Sequence, residues 1–266
     1  MTCRIRLTIE YDGSNYAGWQ RQLNAMSVQE RLEAAIFSLT SENVSVTGAS
    51  RTDAGVSAYM QAAHFDTASR VPDNKFSYAL NALLPPDIRV RDSRAVPPDF
   101  HARYHAKAKL YQYLIYIAPH APAIGRRVMA HVMYPLDESL MAREARSMLG
   151  AHDFKAFAAS GSAVKNTVRT VLRTDVLRRR EVIAIYIMGD GFLYNMARIY
   201  AGTLIGVGSG KIGPGAISRA IESKDRLELG VTAPASGLTL MRVFYDGDDM
   251  DEVYSMNISD FGIEIK

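Results

Sequence analysis

Gly48-Ala-Ser-Arg51-Thr-Asp53-Ala-Gly-Val56 sets an arginine and a carboxylate two residues apart at the edge of a glycine-punctuated turn. In an extended or turn segment, residues i and i+2 point to the same side, so Arg51 and Asp53 can address one ligand together. A carboxylate held in this way can serve as nucleophile or base. The plainer alternative is an aspartate that bonds its own turn, with Arg51 a solvated charge. Two further segments carry chemistry-bearing types at a meaningful spacing. Strand alternation puts Lys109, Tyr111 and Tyr113 on one face, where the alternative is an aromatic pair in a sheet core. In helical register Arg198 shares a face with Tyr194, Ala201 and Gly202, small neighbours that let another segment approach; otherwise it is a solvated helix arginine.

The elements that must position these residues form a repeated order. Residues 4–11 alternate as a strand with Ile5, Leu7 and Ile9 on one face. Ser27 with Glu30 forms a capping box for a helix carrying Val28, Leu32, Ile36 and Leu39. Strands at 44–47 and 60–65, a helix at 73–83 and a strand at 88–90 complete βαββαβ. A strand at 107–117, a helix from an Asp137 cap to Leu149, a hairpin of 168–177 and 182–188, a helix at 192–205 and a strand at 238–245 repeat the order. A short helix at 216–221 is read as an insertion. The duplication predicts an α+β protein of two ferredoxin-like lobes whose mainly antiparallel sheets join across a central cleft. The expected units are 1–100, 101–245 and an acidic extension, 246–266, with the boundary where Pro97 and Pro98 interrupt regular structure.

The charge of +3 is uneven: 246–266 holds seven acids and one lysine, a net of −6, which leaves +9 for 1–245. A basic body favours a polyanionic partner through counterion release. Lys165 to Arg180 gathers six Lys or Arg against one Asp, and His101 to Lys109 interleaves bases with Tyr104 and His105, which points to RNA. The apolar stretches are shorter than a membrane span and no signal-peptide order opens the chain, so a cytoplasmic protein without a membrane partner is expected. The single cysteine, Cys3, has no intramolecular disulfide partner and reads as a small filler. The sequence shows no Walker A loop, dinucleotide fingerprint or Cys/His ligand spacing, so no nucleotide, metal or other cofactor is expected.

The segment around Asp53 resembles the signature of the tRNA pseudouridine synthase A family, usually Gly-x-Gly-Arg-Thr-Asp-x-Gly-Val-His-Ala. Three more blocks agree in order: Tyr11-Asp-Gly13 through Gln22 with Ser27-Val-Gln29-Glu-Arg-Leu32; Phe100-His-Ala-Arg103 with Lys109-Leu-Tyr111-Gln-Tyr113; and Gly191 through Arg198 to Gly202, Val207 and Gly208. The resemblance spans residues 4–245. It implies the pseudouridine-synthase fold, a homodimer, and isomerisation of uridines 38, 39 and 40 in the tRNA anticodon arm. By match to the motifs, Asp53 is the catalytic aspartate and Arg198 the arginine that pairs with it and favours its ionised form. Tyr111 packs against the target base and can move a proton, and Arg51 helps hold the nucleotide out of its stack. Asp53 can attack the sugar or remove a sugar proton; both routes stay open. Arg103, Lys109, Arg178 and Arg179 are expected to bind substrate, and Tyr113 is expected in the core. Ser50, Ser57, Asn195 and His105 depart from the family's usual residues, and bear on substrate positioning. The rival readings are a non-catalytic RNA-binding protein on the same duplicated fold and a nucleoside-cleaving enzyme, which would normally use two carboxylates.

Overall fold

The computed structural model describes residues 2–159 and 164–250. Its strands are β1 (Cys3–Tyr11), β2 (Thr47–Gly48), β3 (Ser57–Thr67), β4 (Ile88–Val96), β5 (Ala108–Ile117), β6 (Ala130–Val132), β7 (Gly150–Asp153), β8 (Val168–Arg179), β9 (Val182–Gly189) and β10 (Leu238–Phe244). Its α-helices are α1 (Val28–Thr40), α2 (Phe76–Asn81), α3 (Glu138–Ala145), α4 (Met196–Gly208) and α5 (Ala216–Ser223). The strands lie in the order β4-β1-β3-β10-β5-β9-β8-β7, with β2 beside β3 and β6 beside β5. Each half keeps the ferredoxin-like arrangement: β4-β1-β3 with β2, then β10-β5-β9-β8. The sheets join where β10 runs parallel to β3, pairing Thr239 with Ser57 and Leu240 with Ala58. All other strand neighbours except β5 and β6 are antiparallel.

Alternation sorts the strand residues onto two faces. On β1, Ile5, Leu7 and Ile9 join α1 residues Val28, Leu32 and Ile36 in the main core, as expected. On β5, Tyr111 and Tyr113 face this core, while Leu110 and Leu114 face a second cluster with Ala184, Met188 and Phe244. Helix α1 starts where Ser27 accepts the Glu30 backbone N–H at 3.2 Å. Its capping box is half used, because the Glu30 carboxylate turns to Arg21, 3.9 Å away.

Several boundaries differ from expectation for local reasons. The strand expected at 44–47 is only Thr47–Gly48, since β3 has one edge left beside β1 and its other end is taken by β10. The helix expected at 73–83 opens as a 3₁₀ turn at Asp73–Lys75 and is α-helical only over Phe76–Asn81. The strand expected at 88–90 runs on to Val96, because β1 pairs it as far as Arg4 with Val96. Helix α4 starts at Met196 rather than 192, after Asn195 turns left-handed at φ 61. The two short strands β6 and β7 have no counterpart in the sequence reading. Beyond β10, Asp248 accepts the Tyr245 N–H at 2.8 Å and Asp246 pairs with Lys107 at 3.2 Å. The remainder of the acidic extension, 251–266, lies outside the described residues. Among those described, no helix is long and apolar enough to cross a membrane.

Helix α4 is fixed by close approach: a Cβ on Gly202 would stand 1.8 Å from the Val231 carbonyl oxygen. Gly202→Ala is therefore expected to overpack the contact and destabilise the protein by about 1–3 kcal/mol, read as a lowered denaturation midpoint. The shift would also disturb Ala233, which bonds Arg198 on the same helix.

Candidate active site

The Arg51–Asp53 segment is held by the opening of the chain. Tyr11 and Thr52 share a hydroxyl hydrogen bond of 2.7 Å, the Trp19 N–H reaches the Thr52 carbonyl at 3.1 Å, and the Gly55 N–H reaches the Tyr16 carbonyl at 3.2 Å. Gly18, at φ +97, permits this contact: a Cβ there would lie 2.5 Å from the Thr52 oxygen. From the other side, the buried amide of Gln61 brackets Ser50, donating to its carbonyl at 2.8 Å and accepting from its N–H at 3.2 Å. Thr52 points inward to Tyr11 while Arg51 and Asp53 point to a cavity of about 410 Å³. Arg51 and Asp53 thus open on one cavity, whose lining also includes Ser50 and Thr52.

Residues from both halves line that cavity, including Arg51, Asp53, Arg103, Lys109, Tyr111 and Arg198. Six of the eight sequence-predicted site residues thus converge. Arg198 Nη1 stands 3.4 Å from Asp53 Oδ2, with both side chains more than four-fifths buried. Its Nη1 also donates to Asn195 Oδ1 at 3.0 Å, and its Nε to the Ala233 carbonyl at 2.8 Å. Burial raises the Asp53 pKa above its ordinary 3.8 and outweighs the opposing pull of Arg198. The arginine does favour the carboxylate, as expected, but the net shift is upward.

Tyr111 is buried edge-on to Phe192, with centroids 4.9 Å apart, and its hydroxyl donates to Ser50 Oγ at 3.3 Å. Burial pushes its pKa up to about 12. Tyr113 lies in the core, with its hydroxyl donating to the Pro234 carbonyl at 2.9 Å. Lys109 Nζ donates to the Ala49 carbonyl at 2.7 Å. Desolvation first, then the charges of Arg103 and Arg169, push its pKa down to about 8.

A family model described as tRNA pseudouridine synthase matches residues 7–105 and 145–246. The chain belongs to that family. It is 52% identical over 243 residues to the tRNA pseudouridine synthase A of Ruminiclostridium cellulolyticum, covering 91% of this chain and 99% of that protein. It is 51% identical over 241 residues to the enzyme of the same name from Acetivibrio thermocellus, with the same two shares. The reaction of the tRNA pseudouridine synthase family, uridine to pseudouridine within tRNA, is an isomerisation.

Arg178 and Arg179 are the exception among the predicted site residues. They sit at the turn of the β8–β9 hairpin, where Arg179 pairs with Val182, whereas the cavity end of the hairpin is marked by Val171 opposite Gly189. Eight strand residues separate the two ends, about 26 Å. Neither lines the cavity, and Arg178 is engaged with Glu138 at 3.4 Å and the Leu136 carbonyl at 3.3 Å. From the same basic run it is Arg169 whose charge acts on Lys109, although it does not line the cavity and its Nη1 donates to the Asn166 and Val168 carbonyls at 2.9 and 2.6 Å. Phe192 was also missed as a site residue, although it lies within the fourth sequence block. Its cue was an aromatic next to a glycine at the end of a strand.

The Lys109 shift has two opposite consequences with pH. An RNA contact to the ammonium weakens as pH rises through about 8, where Lys109 loses its proton. Native stability contributed by this group rises instead between about 8 and 10.5, because the unfolded chain binds the proton that the native chain has released. RNA dissociation constants measured from pH 7 to 9.5 are expected to increase for the wild type, and this limb is expected to flatten in Lys109→Met.

Proposed function

We propose that this chain isomerises uridines 38, 39 and 40 in the anticodon arm of tRNA to pseudouridine, with Asp53 acting on the sugar of an extruded nucleotide. The observation that carries the reading is the Asp53–Arg198 pair in a cavity also lined by three further cations, Arg51, Arg103 and Lys109. A lone carboxylate among fixed positive charges suits chemistry on one residue of a polyanion. The motif resemblance set out above is the support for the three uridine positions and a homodimer, and the shortness of the apolar stretches is the support for a cytoplasmic location.

The reaction breaks the bond between base nitrogen and sugar carbon, turns the base within the site, and joins its carbon 5 to the same sugar carbon. The proton on carbon 5 leaves and the released nitrogen gains one, so atoms balance without an oxidant or reductant. An ionised Asp53 can begin either by attacking the sugar carbon or by taking a sugar proton. Arg198 limits the cost of holding that carboxylate ionised where water is scarce. Its two other acceptors, on Asn195 and Ala233, fix the guanidinium from within the second half of the chain while Asp53 meets it from the first. Tyr111, a neutral phenol in its resting form, offers the base an edge and a hydroxyl for the proton transfer that ends the reaction. Arg51, exposed at the rim, is placed to fill the space the nucleotide leaves.

Asp53→Asn is expected to slow pseudouridine formation by at least about a hundredfold with tRNA affinity nearly unchanged. Its denaturation midpoint at neutral pH should not fall below wild type, because the substitution removes a carboxylate that burial disfavours. Analysis of nucleosides after incubation with unmodified tRNA checks the whole reading: pseudouridine supports it, whereas unchanged uridine or free uracil rejects it.

Tyr111→Phe keeps the ring against Phe192 and removes only the hydroxyl. Product formation is expected to drop with tRNA binding retained. A Phe variant as active as wild type beside an inactive Tyr111→Ala would assign the role to the ring alone.

A further inference from the structure

Arg103 reaches the cavity from an exposed turn that no regular element supports. It also acts on the ammonium of Lys109, so like-charge repulsion between the two works to push it outward. What opposes this is a set of side chains that bond the turn's backbone. Arg4 donates to the Phe100 carbonyl at 2.8 Å, and Tyr245 donates to the Ala102 carbonyl at 2.7 Å. The Ala102 N–H donates to His64 Nδ1 at 3.1 Å. His101 Nδ1 accepts from the Arg103 and Tyr104 N–H groups at 3.1 and 3.2 Å, and its own N–H meets His105 Nδ1 at 3.4 Å. The His101 ring is stacked on Tyr104, with centroids 4.2 Å apart, and meets the edge of His64 at 4.9 Å. Three imidazoles thus serve as acceptors for consecutive backbone donors.

We propose that His64 and His101 are positioning residues for the isomerisation, whose neutral Nδ1 atoms hold the 101–105 turn and thereby keep the Arg103 guanidinium over the cavity. The inference rests on the function proposed above and adds to it a device outside the reacting groups. An imidazole can accept at Nδ1 only while that nitrogen carries no proton. The surroundings keep it so. His64 is buried and faces Arg4, His101 and Asp66, whose carboxylate is tied to Arg4 at 2.7 Å. His101 faces His105, Arg4 and Arg103. Arg6, opposite His64 across the β1–β3 pair, lies 4.2 Å from the Tyr245 ring centroid. Burial is the largest cause of the lowered pKa of both histidines, taking His64 to about 4. Protonation below the ordinary 6.5 therefore works against the native arrangement, and its cost grows as pH falls from about 6.5 toward 4.

The test uses full-length enzyme with tRNA and compares His101→Ala, His101→Asn, Arg103→Ala and the double variant His101→Ala/Arg103→Ala. Asparagine places an acceptor oxygen near the position of Nδ1 and cannot be protonated in this range. His101→Ala is expected to raise KM about tenfold with a much smaller change in kcat, and His101→Asn to restore most of the loss. In the Arg103→Ala background the His101→Ala change should add little, because both act on one contact. Wild-type KM should rise as pH falls below about 6.5, and His101→Asn should lessen that rise while an acid limb in kcat from Asp53 persists in both. His64→Asn should repeat the pattern at the buried position. Fully additive effects of His101→Ala and Arg103→Ala, or a folded His101→Ala with wild-type KM, would overturn the inference. A wild-type enzyme that forms no pseudouridine would instead reject the proposed function.

Discussion

Two parallel residue pairs, Ser57 with Thr239 and Ala58 with Leu240, hold the halves of this protein in one sheet. The constraint behind them is that β3 has only one edge left once β1 is paired. β10 takes that edge at Ser57 and Ala58, and β2 takes it at Ala63 and His64. The chain leaving β2 must therefore depart from the sheet, and its backbone groups need other partners. They find them in Gln61 at Ser50, Lys109 at the Ala49 carbonyl and Trp19 at the Thr52 carbonyl. Arg51 and Asp53 face the cavity because the segment carrying them is extended, unpaired with a strand, and pinned from behind.

Desolvation then acts on two opposite charges in one cavity. It raises Asp53 and lowers Lys109, so that each is driven toward its neutral form. Neighbouring charges act differently on the two: Arg198 opposes the shift of Asp53, whereas Arg103 and Arg169, both of its own sign, reinforce that of Lys109. A phosphate entering the cavity would favour the charged form of Lys109 and relieve that repulsion. Charge complementarity is thus incomplete in the free protein in a way that a polyanion completes. For the function proposed above, the same asymmetry predicts an acid limit through Asp53 and an alkaline limit through Lys109.

The sequence was legible where one local rule decided the outcome. Alternation in β1, β5 and the β8–β9 hairpin and the Ser27 and Asp137 caps correspond to observed elements. Elements whose existence depends on a distant partner were not legible. β2, β6 and β7 are two to four residues long, too short to show a period, and form because a neighbouring edge is available. The family resemblance linked Asp53, Arg198 and Tyr111, and all three line one cavity although Asp53 and Arg198 are 145 residues apart in the chain. Charge clustering did less well. The run Lys165–Arg180 is contiguous in sequence but spans the hairpin, so that the charge of Arg169 acts on Lys109 while Arg178 pairs with Glu138 on α3. His64 left no signal, because its role depends on a turn that returns to β3 from 38 residues away.

The four departures from the family pattern show what the signature specifies physically. Ser57 Oγ accepts the Gly13 N–H at 3.0 Å, tying the start of β3 to the opening segment. Ser50 Oγ receives the Tyr111 hydroxyl, and His105 Nδ1 faces the His101 N–H. Asn195 does two things at once. It adopts the left-handed conformation that asparagine tolerates better than most residues, and its Oδ1 accepts from the arginine that pairs with Asp53. Each of the four takes part, by its side chain, in a hydrogen bond at its position. Asp53 differs from these positions because its carboxylate is the only one lining the cavity among the described residues. No neighbouring carboxylate can take over its chemistry.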